Sequence, residues 1–145
     1  MNKIASFQGE NRFLSNFWLT NIEFEGIIYP SVEHAYQAAK TLDITARLTI
    51  RAAKTPGDAK RLSKVLKVRE DWGQVKLDIM EKLCFQKFIL NTQLRDKLAA
   101  TGDAELIEGN AWGDTFWGVC KGEGRNELGK ILMKIRDLNN SSLAQ

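Results

Sequence analysis

Three side chains near the start of the chain stand where they could act together. Glu33, Gln37 and Lys40 follow Pro30-Ser31 in a stretch of helical pattern, and at 100° per residue they fall within an arc of about 60°. A carboxylate, an amide and an ammonium in one row can form the wall of a cleft. Glu33 lies in the first turn, where the helix macrodipole favours its charged form, so it suits a base or a cation stabiliser better than a proton donor. The same spacing also describes a solvated helix face with i,i+4 support. A second group lies between Asn110 and Gly118, where Trp112, Phe116 and Trp117 surround Asp114 in an otherwise small and polar loop. Planar rings beside a carboxylate make a slot for a flat heterocycle, or else the rings plug the loop onto the core. A third stretch, Gly118 to Asn126, joins glycines and Lys121 to a helix start. It reads either as a phosphate seat of helix N-terminal amides and a lysine, or as a structural turn. Its glycine spacing is not that of a dinucleotide-binding βαβ unit.

These groups need elements to hold them. Residues 17 to 29 alternate around Glu25-Gly26 and read as a β-hairpin. Ser31 is the expected N-cap of the first helix, with Ala35, Ala38, Ala39 and Leu42 on its packing face and the polar row outward. Helical patterns then cover 44 to 54 and 59 to 65. Asp71-Trp72-Gly73-Gln74 reads as a capping box before a long run through Val75, Ile79, Leu83 and Phe88, with Trp72 as a hydrophobic staple beside Arg69. Asn91 caps a shorter helix that closes at Gly102, 104 to 108 is extended, and 112 to 124 is a loop. Leu128, Ile131, Leu132, Ile135 and Leu138 make a last amphipathic helix, after which residues 139 to 145 are expected to fray. His34, Cys84 and Cys120 are expected to be structural. The fold class is α+β, mainly α-helical, in one compact domain over residues 1 to 145.

Composition narrows the function. The chain has 145 residues, 27% charged and 43% hydrophobic, enough to bury a core without disulfides. No apolar run approaches the ~20 residues of a membrane span, and the N-terminal residues lack an apolar signal core. Two cysteines without CxxC spacing are expected to be free thiols in a reducing cytoplasm. One histidine leaves few ligands, so no metal and no cofactor are expected. The net charge of +3 is spread without a basic arm, which permits a phosphorylated ligand and does not demand one.

Four ordered motifs add a resemblance. Phe13-Leu14-Ser15-Asn16-Phe17 precedes Tyr29-Pro30-Ser31-Val32-Glu33-His34-Ala35-Tyr36-Gln37-Ala38-Ala39-Lys40. Arg69-Glu70-Asp71-Trp72 follows, with Val75-Lys76, Met80 and Lys87-Phe88. Asp114-Thr115-Phe116-Trp117-Gly118 and Gly122-Glu123-Gly124-Arg125-Asn126-Glu127-Leu128-Gly129-Lys130 close the series. Together they resemble the NADAR (YbiA-like) N-glycosidase family over residues 13 to 136. That resemblance implies hydrolysis of the N-glycosidic bond of a ribosylated, nucleotide-type substrate. Removal of ADP-ribose from a modified guanine or guanidinium group is the leading expectation, with a modified base in nucleic acid as one form. Hydrolysis of early riboflavin-pathway ribosylamino-pyrimidine phosphates is the alternative, and a non-catalytic ADP-ribose-binding module is a third. The resemblance implies Glu33, Trp72 and Asp114 as catalytic residues. It places Asn16, Phe17, Tyr36, Gln37, Lys40, Arg69, Trp117, Gly118, Lys121 and Asn126 around the substrate. The chain departs from the family pattern where Trp112-Gly113 precedes Asp114.

Overall fold

The computed structural model describes residues 2–143. Among these residues helices dominate over six short strands, so the fold is α+β and mainly helical. The chain forms two compact units: residues 16–87, and residues 1–15 together with 88–145.

The continuous unit starts with the hairpin. Strand β2 (Leu19–Phe24) pairs antiparallel with β3 (Ile27–Ser31) through the two-residue turn Glu25-Gly26. Both turn residues have positive φ, +47° and +88°, the mirror-image geometry that matches strand twist. Pro30 does not end the strand, which runs on to Ser31 and passes directly into α1 (Val32–Ala39). The Ser31 hydroxyl accepts from the His34 N–H at 3.0 Å, the expected cap. Every side chain of α1 is buried, and the helix packs on β2, β3, α2 (Ile44–Arg51) and α3 (Pro56–Ser63). The alanines permit that close approach. The outward polar row is therefore a correction: Glu33 and Gln37 are 7% and 3% exposed, whereas Leu42, expected on the packing face, is 66% exposed.

Local chemistry moved several boundaries. Thr55 caps α3 and Pro56 occupies its first turn, where a missing N–H does no harm, so this helix starts before residue 59. Helix α2 stops at Arg51. Helix α4 (Trp72–Leu90) begins as expected, but the Asp71 carboxylate is engaged by Arg69 instead of completing a capping box.

In the discontinuous unit, β1 (Lys3–Ile4) pairs in parallel with β4 (Glu105–Leu106). Helix α5 (Thr92–Ala99) is capped by Asn91 and followed by Gly102 at φ +65°. Strand β5 (Gly109–Asn110) pairs in parallel with β6 (Val119–Cys120). Helix α6 (Glu127–Leu143) buries Leu128, Ile131, Leu132 and Ile135, and Arg136 donates to the Ala104 carbonyl at 2.8 Å. The helix does not stop at Leu138. Leu138 is exposed, and Asn139 is buried in its place, because it lies one turn beyond Ile135 on the face that carries Leu128 and Leu132. Residues 144 and 145 of the expected frayed tail lie outside the described residues.

Candidate active site

The residues 16–87 unit holds eight of the predicted site residues, most of them around α1. Glu33 is placed first by the backbone: its N–H donates to the Asn16 carbonyl at 3.1 Å. The Asn16 side chain is itself seated on α4, donating to Met80 Sδ at 3.5 Å and accepting from Cys84 Sγ at 3.9 Å. Met80 stands in the sequence motifs without a role and Cys84 is structural as expected; that both seat Asn16 could not be read in advance, since no spacing rule connects positions so far apart in the chain.

One turn along α1, Gln37 Nε2 donates to Glu33 Oε1 at 2.7 Å inside the protein. Lys40 ends the row, half-buried, with its Nζ 5.6 Å from the centre of the Tyr36 ring. Burial pulls the Lys40 amine below its ordinary pKa; Glu33 opposes that shift, and Lys60 and Lys76 add to it. The Tyr36 ring lies 5.1 Å from Trp72, tilted by 52°, so the two aromatics form one corner at the end of the row.

Arg69 joins through its backbone, its N–H donating to the Lys40 carbonyl at 2.7 Å. Its guanidinium grips the Asp71 carboxylate at 2.6 and 3.0 Å, which holds the carboxyl below and the guanidinium above their ordinary pKa values. Phe17 is half-buried near the start of α3. His34 turns away from the row. Its Nε2 donates to the Ala53 carbonyl at 3.0 Å and its Nδ1 lies 2.7 Å from the Ser31 hydroxyl, a structural role as expected.

The other unit holds the aromatic loop. Asn110 clamps both ends of Asp114, accepting from its N–H at 3.0 Å and donating to its carbonyl at 2.9 Å. Asp114 Oδ1 accepts from the N–H groups of Phe116 and Trp117 at 3.1 and 2.9 Å, so one carboxylate oxygen shapes the loop. Phe116 and Trp117 meet edge to face at 4.8 Å, and the Arg125 guanidinium sits 4.6 Å from the Phe116 ring centre. Gly118 is buried because β5 and its flanking Glu108 press against it.

The phosphate-seat alternative for residues 118 to 126 does not match the geometry. The first amides of α6, those of Glu127 and Leu128, donate to the Phe116 and Trp117 carbonyls at 3.1 and 3.0 Å. Lys121 and Gly122, at φ +53° and +80°, are the centre of a tight turn closed between Cys120 and Glu123, and Lys121 is exposed. Asn126 is buried and anchors β4, accepting from the Glu108 N–H and donating to the Leu106 carbonyl, both at 2.9 Å. Replacing Asn126 with Leu leaves those two groups unpaired. It should destabilise the protein by about 2–4 kcal/mol, read as a lower denaturant midpoint at unchanged slope.

A buried carboxylate and amide followed by a half-buried amine in one row, closed by an aromatic corner, define a small α+β domain built around a polar helix face. The chain belongs to the NADAR domain family, whose model matches residues 5–138. It is 37% identical over 129 residues to an N-glycosidase of Nostoc punctiforme, covering 85% of this chain and 82% of that one. It is 36% identical over 126 residues to the N-glycosidase YbiA of Escherichia coli, covering 85% of this chain and 78% of the relative. A riboflavin biosynthesis protein of Vibrio vulnificus is 41% identical over 128 residues, which cover 86% of this chain and about a third (35%) of that longer protein. The solution structure of E. coli YbiA superposes with a TM-score of 0.85 at 32% identity, covering 99% of this chain and 86% of YbiA. The first two relatives are named for hydrolysis of N-glycosyl bonds.

Proposed function

We propose that this chain is an N-glycosidase that hydrolyses the C1′–N bond of a ribosylated, nucleotide-type substrate, removing ADP-ribose from a modified guanine or guanidinium group. The observation that carries the reading is the burial of Glu33 within hydrogen-bond reach of Gln37 and beside Lys40. A solvated helix face needs none of this, and a buried carboxylate is retained against its desolvation penalty.

Cleavage passes through a ribosyl cation whose positive charge centres on C1′. Glu33 stabilises that charge and takes the proton of the attacking water as its oxygen bonds to C1′. The departing nitrogen needs a proton, and Lys40, with its pKa lowered by burial, is a better donor than an ordinary lysine. Trp72 and Tyr36 offer an aromatic face to the base. Arg69, with its guanidinium shared with Asp71, contributes positive charge for a phosphate. Within the aromatic loop, Asp114 Oδ1 is committed to the N–H groups of Phe116 and Trp117, so Oδ2 is the oxygen of that carboxylate suited to accept a hydroxyl. Buried free thiols at Cys84 and Cys120 suit a reducing compartment such as the cytoplasm.

Riboflavin-pathway ribosylamino-pyrimidine phosphates are the second substrate reading, favoured by the name of the Vibrio relative. Purified protein incubated without added metal against ADP-ribosylated guanosine and against those phosphates separates the two by which free base is released. Binding of ADP-ribose with no release from either substrate would overturn the enzyme reading in favour of a binding module.

Lys40 gives a sharper test of the chemistry. Lys40→Met should lower kcat by roughly 100-fold. Lys40→Arg should fall almost as far, because arginine keeps the charge but does not give up its proton. Near-normal turnover in the arginine variant would instead make residue 40 a charge that holds phosphate.

A further inference from the structure

Gln37 is tied to Glu33 in an unusual way. It is 3% exposed, and its amide nitrogen is committed to Glu33 Oε1 at 2.7 Å. Its amide oxygen is also buried, and no donor among the described residues reaches it. The orientation is fixed by chemistry: turning the amide over would set its oxygen against the carboxylate oxygen, lone pair to lone pair. A buried amide with one end unpaired is a poor choice for packing, since an apolar side chain of similar volume would fill the position with no orphan acceptor. The residue is explained by what its nitrogen does.

We propose that Gln37 is a positioning residue for the Glu33 carboxylate, fixing its rotamer and holding it ionised so that it is ready as a base. The proposal rests on the reading of Glu33 as the reacting carboxylate and adds the device that sets its proton affinity. A hydrogen bond donated to a charged oxygen favours the ionised form, so loss of the donor raises the pKa of the acceptor. Lys40, the C-cap of α1, is a charge that acts along this row, itself influenced by Lys60 of α3 and Lys76 of α4. Arg69 is paired with Asp71, and His34 is turned to Ser31 and Ala53. None of these lies on the Gln37 amide, so a change at residue 37 acts on Glu33 directly.

The test is a carboxyl-carbon NMR titration of Glu33 in the wild type, Gln37→Met and Gln37→Glu, alongside the pH dependence of kcat/KM. In Gln37→Met the Glu33 midpoint should rise by about one pH unit, and the acidic limb of kcat/KM should move up with it. Gln37→Glu puts two carboxylates at hydrogen-bond distance, where both cannot ionise at once. Their protons should leave in two steps spread apart, with the first protonated partner donating in place of the amide. An unchanged Glu33 midpoint in Gln37→Met, or two independent and ordinary titrations in Gln37→Glu, would overturn the proposal. Because the titration is read without turnover, those results are distinct from failure of the catalytic reading, which shows as full activity in a folded Glu33→Gln protein.

Discussion

Turnover of the Glu33→Gln protein should fall at least ~100-fold, the scale of a lost general base, with the fold retained. The expectation of a retained fold comes from the hydrogen bond on α1. Glutamine at position 33 keeps a side-chain oxygen that still accepts from Gln37 Nε2, and its backbone N–H still donates to the Asn16 carbonyl. The lost feature is the negative charge, and with it both the attraction for a ribosyl cation and the affinity for the proton of water. A neutral amide at this position also removes a desolvation penalty, so the melting temperature should hold or rise slightly. Single-turnover release of free base, measured beside a thermal melt, checks both halves. A folded variant with near-wild-type release would remove Glu33 from the chemistry.

The second large effect is on stability. A methyl group at Gly118 would overlap the Glu108 carbonyl and carboxylate and approach the Asn110 amide to 2.8 Å. Two of those three obstacles belong to the framework that pairs β5 with β6 and clamps Asp114, so little can yield. Gly118→Ala should therefore cost about 3 kcal/mol and lower the melting temperature by about 10 °C. Gly122→Ala is the matched control. Its Cβ meets nothing within 4 Å, and its penalty comes from φ +80° alone, about 1 kcal/mol. Equal melts for the two alanine variants would show that the close approach at Gly118 is absent in solution.

What the chain declared in advance follows from the range of the interactions involved. The Glu25-Gly26 turn, the Ser31 and Asn91 caps and the stripe from Leu128 to Ile135 are written in neighbouring residues, and all stand in the structure. Glu33, Gln37 and Lys40 were legible as a row, but whether that row met solvent or protein depends on α2, α3 and the hairpin packing around it, which no local pattern encodes. Asp71 shows the same limit on a smaller scale. Its spacing fits a capping box, yet a guanidinium two residues away competes for the same carboxylate and wins through two charged hydrogen bonds. The loop around Asp114 could not be divided between scaffold and site until its carbonyls were seen to take the first amides of α6.

The parallel pairing of Lys3 with Glu105 and Ile4 with Leu106 has a consequence for how the chain acquires its shape. Strand β1 is synthesised before its partner, which follows about a hundred residues later, so the ladder closes a long loop and is slow to form. Residues 16–87 lie wholly between the two and form a compact unit from their own stretch. On a ribosome adding about 5–20 residues each second, that stretch has about 1–4 seconds after its completion to order itself while β1 waits unpaired. The part of the molecule carrying Glu33, Gln37 and Lys40 is thus assembled early, and β1, made before it, finds its place after it.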